Sequence, residues 1–194
     1  MTALSTALLS AAPTRAADEA AETSDVDRAR THFSQGLKLY KDGDFDAALV
    51  QFERAYAIKA NFKVLYNIAQ SYFELHQYVE ARDALARYLK DGEGNIEPER
   101  KTAVENDLSD LQRRIAHLKL TVNVQGATVY VDGKRVGVTP LPAAIDVNEG
   151  QRTLSIEAAD RGSKQRVVRV AGGEEQAINV DFEAAPSNAA PLPP

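Results

Sequence analysis

Gly36-Leu37-Lys38-Leu39-Tyr40-Lys41-Asp42-Gly43-Asp44-Phe45-Asp46-Ala47-Ala48 is matched in residue type, 33 positions on, by Ala69-Gln70-Ser71-Tyr72-Phe73-Glu74-Leu75-His76-Gln77-Tyr78-Val79-Glu80-Ala81. Each copy sets a small residue (Gly36, Ala69) before a large one (Leu39, Tyr72). An aromatic (Phe45, Tyr78), an alanine (Ala48, Ala81) and a large apolar residue (Phe52, Leu85) follow at the same offsets. Self-similarity at a fixed period of this size marks stacked supersecondary units. The small residues let two antiparallel helices approach closely, and the large ones fill the space between neighbouring hairpins. Lys41-Asp42-Gly43-Asp44 supplies the first turn, with Gly43 able to take positive φ; Glu74-Leu75-His76-Gln77 does the same work without a glycine. The spacing therefore predicts two helical hairpins.

Outward from the repeat, the helical reading extends from Arg28 to Leu118. Ile96-Glu97-Pro98-Glu99-Arg100 reads as a helix start, with Pro in the first turn and acids complementing the dipole. Val104, Leu108, Leu111, Ile115 and Leu118 then recur at spacings of four and three, one amphipathic helix that caps the second hairpin or forms a short dimerising seam. Two repeats are fewer than the three a stable stack usually needs, so the cap, a homodimer or a partner must complete the core. Residues 18–27 are acidic and aperiodic and read as a flexible arm, with Ser24 or Asp25 placed to cap the first helix. Residues 1–17 carry an apolar run from Ala3 to Ala12, then Pro13-Thr14-Arg15-Ala16. That order is similar to the end of a secretory signal, cleaved near Ala16 or Ala17, although no Lys or Arg precedes the run. The expectation is a periplasmic or otherwise extracytoplasmic, envelope-associated protein. The run is too short to span a bilayer, which takes about 20 apolar residues.

From Lys119 to Glu183 the pattern changes to period two. Leu118-Lys119-Leu120-Thr121-Val122 alternates apolar and polar, and Val131-Asp132-Gly133-Lys134 places a two-residue Asp-Gly turn between two strands. Further strands are expected at 144–147, 152–158, 165–170 and 177–182, the last with Ile178, Val180 and Phe182 on one face. Six or seven short strands imply a small antiparallel β-sandwich or open barrel. The Pro- and Ala-rich residues 184–194 read as a disordered tail. The fold class is thus α+β in two domains: helical-hairpin repeats with a capping helix at 28–118, then the β domain at 119–183.

The net charge of -5, with no stripe of Lys and Arg, argues against nucleic acid as a partner. Cysteine is absent, which removes disulfides, thiolate metal sites and cysteine nucleophiles. His32, His76 and His117 sit in or beside different expected helices with no second ligand at metal spacing, and no phosphate-cradling glycine loop or Gly-x-Ser-x-Gly elbow occurs. Asp132 and Asp146, or Glu149 and Glu157, have no reason to converge in a pocket. No enzyme, metal or cofactor is expected.

The small–aromatic–turn–aromatic–Ala–large pattern over residues 29–89 resembles the tetratricopeptide repeat. It departs at His32 and Leu65, where that family favours Trp or another large residue, and at Ala60, where it often has Pro. Val129-Tyr130-Val131-Asp132-Gly133, Thr139-Pro140-Leu141 and Asn148-Glu149-Gly150-Gln151 resemble the PEGA domain, a bacterial surface-associated β module. Asn148 and Gln151 stand where the eponymous motif has Pro and Ala. The first resemblance implies a concave groove lined by Phe33, Leu37 and Tyr40 from one helix and Tyr66, Asn67, Gln70 and Phe73 from another, flanked by Lys41 and Glu74. Phe33 and Leu37 occupy the places where some members clamp a terminal carboxylate, so that mode is set aside for an apolar segment or amphipathic helix of a partner protein. The second resemblance implies an extracytoplasmic module with no catalytic residue. Together they imply an exported, non-enzymatic adaptor or scaffold of the bacterial envelope. The alternative is a cell-wall or carbohydrate binder with the β domain as reader, against which stand the absence of Trp and a single Tyr, Tyr130, in the β half.

Overall fold

The computed structural model describes residues 13–183, with side chains from Glu22 onward. Five helices come first: α1 (Pro13–Lys41), α2 (Phe45–Ile58), α3 (Phe62–Glu74), α4 (Tyr78–Asp91) and α5 (Pro98–Gln112). Seven strands follow: β1 (Ile115–Val122), β2 (Thr128–Val131), β3 (Lys134–Val138), β4 (Ile145–Asn148), β5 (Gly150–Ala158), β6 (Gly162–Val170) and β7 (Glu175–Val180). The residues expected to act as a leader before Pro13, and those expected to form a tail after Glu183, lie outside the described residues.

The repeat pattern acts as its spacing implies. Helices α1 and α2 close one hairpin, α3 and α4 the second, and α5 packs on α4. Gly36 lies against Phe52 so closely that a Cβ there would come within 2.6 Å of the ring, while Ala48, Ala69 and Ala81 are buried at the corresponding approaches. The first turn uses Gly43 at φ 82°; the second, lacking glycine, puts His76 at φ 57°, where its Nδ1 meets the Tyr78 hydroxyl at 2.6 Å. Asp44 and Asn61 cap α2 and α3 by accepting from the amides of Ala47 and Lys63.

Two features of the helical half depart from the sequence reading. Residues 18–27, expected as a flexible arm, are helical and belong to α1, so Ser24 and Asp25 are interior positions and not caps. Ala20, Ala21 and Glu22 favour helix there. Ion pairs Asp25–Arg28 and Asp27–Arg30 at i,i+3 and Glu22–Lys59 across to the end of α2 add to it. At the other end the amphipathic helix stops at Gln112, and Ile115 and Leu118, expected on its apolar face, begin β1. The two sides of that strand serve different cores. Ile115 is buried with the helices, whereas Ala116 and Leu118 are buried with the β domain and Leu120 and Val122 pack against that same core. His117 is accordingly a strand residue.

The β half folds as two sheets, ordered β4-β1-β7 and β3-β2-β5-β6. Alternate residues Val129 and Val131, Ile145 and Val147, Leu154 and Ile156, and Ile178 and Val180 fill the space between them. The Asp-Gly turn has both central residues at positive φ, Asp132 at 49° and Gly133 at 80°. Asp132 also ties that turn to β5, its carboxylate accepting from the Thr153 amide at 2.8 Å and from Arg152 at 3.0 Å. One pairing differs from the antiparallel expectation: β7 runs parallel to β1, Leu118 opposite Gln176 and Leu120 opposite Ile178. β7 arrives from the other sheet, so no hairpin constrains its direction.

The two halves are joined by polar contacts as well as by the chain. Asn148 of β4 accepts from the Val79 amide at 2.8 Å and donates to Glu80 at 2.9 Å. It thereby serves the first turn of α4, whose own N-cap residue, Gln77, makes no side-chain cap bond. Beside it, Asp146 pairs with Arg82 of α4 and with Nδ1 of His117 at 2.8 Å. Partial burial pushes the Asp146 carboxyl up, but the hydrogen bonds and charges of Arg82 and His117 outweigh it and hold the carboxyl below the ordinary value.

Candidate partner-binding face

Residues 33, 37 and 40 share one face of α1 by their spacing of four and three, as 66, 70 and 73 do on α3. The structure does not leave them equally free. Leu37 is 45% exposed and packs in neither core. Tyr40 is half-buried, its ring 5.1 Å from Phe45, and its hydroxyl reaches Glu74 of α3 at 3.5 Å. Burial first, and then the Glu74 carboxylate, raise the Tyr40 pKa, so the phenol stays protonated and donates. Phe33 turns inward, with its ring 5.6 Å from Phe52.

On α3, Tyr66 lies 5.9 Å from the Tyr88 ring and is covered by the Arg100 guanidinium at 3.8 Å from its centroid. Phe73 packs 5.7 Å from Tyr78 under Arg114, whose guanidinium is 5.4 Å from the Phe73 centroid. Asn67 spends its amide on the Lys63 carbonyl, 3.4 Å away. Gln70 and Phe73 line a cavity of about 190 Å³ shared with Asp107, Asp110 and Arg114. Burial raises the Asp107 pKa, Arg100 opposes that and Asp110 adds to it.

The face expected as an aromatic strip is therefore mixed. Leu37 is its open apolar residue, Gln70 and Phe73 converge on a small cleft, and Tyr66 and Phe73 are roofed by arginines. Asn67 is engaged locally, and Phe33 leads into a separate cavity at the end of the hairpin. Arg100, Asp107, Asp110 and Arg114 were not foreseen. Arg100 and Asp107 stand one turn from Val104 on α5 and Arg114 follows that helix, but only the packing of α5 brings Arg100 and Arg114 over α3.

The three histidines are each engaged locally. His32 meets Gln51 at 2.7 Å, His76 meets Tyr78 and His117 meets Asp146. Among the described residues no group of His, Asp or Glu could hold a metal ion, and no helix is long and apolar enough to cross a membrane.

The motif residues of the β domain act within its own fold. Thr139, 6% exposed, donates its hydroxyl to the Val124 carbonyl at 2.6 Å and accepts from the Ala127 amide at 3.0 Å, locking the connection between β1 and β2. Leu141 lies on Gly137, where a Cβ would come within 2.6 Å of it. Those words specify a fold, and no ligand contact follows from them.

Comparison with curated proteins returns no match to the chain. The family model for the tetratricopeptide repeat matches residues 39–100, and that for the PEGA domain matches residues 115–186. Tetratricopeptide repeats mediate protein–protein interaction, PEGA domains occur in extracytoplasmic proteins, and both are non-catalytic families. With hairpins whose close approaches fall at Gly36, Ala48, Ala69 and Ala81, and a sandwich closed by the Asp132-Gly133 turn and Thr139, the chain is a tetratricopeptide-repeat protein with a C-terminal PEGA domain.

Proposed function

We propose that the protein is an exported, non-enzymatic adaptor of the bacterial cell envelope. Its helical face holds an apolar or amphipathic segment of a partner protein, and its PEGA domain contacts another envelope component. The observation that carries the reading is the cleft at Gln70 and half-buried Phe73 of α3, together with exposed Leu37 on α1, the helix whose Tyr40 reaches Glu74 of α3. A surface of this kind, apolar at the centre and rimmed by Arg100, Arg114, Asp107 and Asp110, has the anatomy of a peptide-binding groove. The hydrogen bonds and ion pair that tie β4 to α4 suit a spacer that presents two surfaces.

The test is a double variant, Leu37→Ser with Gln70→Ala, since neither side chain belongs to the helical core. Proteins retained from envelope extracts by the full chain should be lost by the variant while its circular dichroism is unchanged. Equal retention would remove the α1/α3 face from the function.

A further inference from the structure

Where α1 runs past the end of α2 and α3 begins, the first hairpin opens into a cavity of about 330 Å³, inside the range of about 300–1,000 Å³ typical of sites that enclose a ligand group. Its walls are apolar: Val26, Ala29 and Phe33 of α1, Ala55 of α2 and Val64 of α3. The space exists because Ala29 and Ala55 are short, and because Lys59 (φ -140°) and Asn61 (φ -141°) are extended and carry α3 away from the end of α2. Since α2 supplies part of the wall, the cavity belongs to the end of the hairpin and not to the α1/α3 face.

The rim carries three cations, Arg30, Lys59 and Lys63, in a chain whose net charge is -5. Two of them already hold carboxylates of α1: Arg30 pairs with Asp27 at 3.0 Å and Lys59 with Glu22 at 2.7 Å. The Glu22 carboxyl is held below its ordinary pKa, first by the hydrogen bond from Lys59 and then by that residue's charge. Lys63 makes no ion pair among the described residues. All three side chains are exposed, and exposed pairs of this kind exchange readily for others.

We propose that this cavity anchors a partner segment in which a bulky apolar side chain is flanked by carboxylates. The apolar group fills the space above Phe33 and Val64, and the carboxylates take Lys63 and displace Asp27 and Glu22 from Arg30 and Lys59. Complementary charge sets the register of the segment and speeds its encounter. The inference rests on the reading of the chain as a protein-binding adaptor and gives the partner's chemistry.

The test uses the full chain and fluorescein-labelled hexapeptides read by anisotropy. The probe is acetyl-Asp-Glu-Leu-Phe-Glu-Asp-amide, with one control in which Lys replaces the acids and another in which Ser replaces Leu and Phe. The acidic–apolar probe should bind in preference to both controls and weaken between about 50 and 500 mM salt. Lys59→Glu with Lys63→Glu, both at exposed positions, should weaken it about tenfold, and Ala29→Leu, which fills the space, should abolish the preference. Equal binding of the lysine control, or parental binding by both variants, would overturn the proposal. So would a parent that sediments as a dimer and dissociates on the double charge reversal, which would assign the cavity to a second copy. Leu37→Ser should leave the probe bound. Loss of extract capture by the α1/α3 variant, with no binding of the probe to the parent, would sink the cavity proposal alone and leave the adaptor reading standing.

Discussion

Asn148→Ala removes both hydrogen bonds by which Asn148 of the PEGA domain serves the first turn of α4. The Val79 amide, in the first turn of α4, loses its acceptor at 2.8 Å, and Glu80 loses a donor at 2.9 Å. Truncating a capping side chain costs about 1 kcal/mol, within a range of about 0.5–2. A hydrogen bond to a charged group adds about 1.5–3 kcal/mol when fully desolvated. The Glu80 side chain is 31% exposed, so water replaces part of that bond and the lower end applies. The expected loss is about 2 kcal/mol, which for a chain of this size lowers the melting temperature by roughly 4–8 °C. Thermal unfolding followed by the helical signal measures it, and hydrogen exchange at the Val79 amide locates it. Asn148→Asp separates the two bonds. It keeps an acceptor for Val79 but sets a second carboxylate beside Glu80, so Val79 should stay protected while the melting temperature still falls. An alanine variant that melts within about 1 °C of the parent with unchanged Val79 exchange would refute the view that β4 caps α4.

Gly36→Ala gains about 1 kcal/mol of helix propensity but drives a Cβ to 2.6 Å from the fully buried Phe52 ring, and overpacking of this kind costs about 1–3 kcal/mol. Urea unfolding should show net destabilisation, and a variant more stable than the parent would contradict the close approach of α1 and α2. Thr139→Val keeps shape but strands the Ala127 amide and the Val124 carbonyl in a buried site, lowering the melting transition of the β domain by the equivalent of about 1–3 kcal/mol. Asp146 has a folded pKa below its unfolded value, so its contribution is present above about pH 4 and is lost as the pH falls through the folded value. Urea unfolding of the parent and of Asp146→Asn should therefore differ at pH 7, with the gap shrinking as the pH falls below the ordinary carboxylate range; a gap that stayed constant would show that Arg82 and His117 do not hold the carboxylate.

Repeats, strands and turns were legible because each is governed by neighbours in the chain. A small residue at Gly36 and another at Ala48 declare a close helix pair wherever they stand at that spacing, and Asp132-Gly133 declares a hairpin through backbone sterics alone. Period two over residues 177–182 was enough to place Ile178, Val180 and Phe182 on one face, and all three are buried. Of the expected binding face, Leu37 and the Gln70–Phe73 cleft are open to a partner. Phe33 and Tyr66 are partly covered, because their partners Phe52, Tyr88 and Arg100 come from helices whose arrival over them no local pattern records, and what Phe33 leaves open faces the cavity at the end of the hairpin. The switch from helix to strand before Ile115 was misread for a related reason. Leu111, Ile115 and Leu118 fit a helical period, and only the pairing of β1 with β4 and β7 decides the other way.

By itself, then, the amino-acid sequence determined the two hairpins, the Asp132-Gly133 turn and the order of a helical half before a β half, since periodicity, small-residue spacing and turn chemistry act over a few residues. Tertiary structure alone decided how the halves meet. Asn148 reaches Val79, and Asp146 reaches Arg82, across 69 and 64 positions of chain, and β7 lies parallel to β1 after crossing between sheets. Polar side chains on a strand carry no mark of their eventual partners. Their roles as cap, ion pair or rim arise only when packing removes water from one side and leaves a single donor or acceptor within reach.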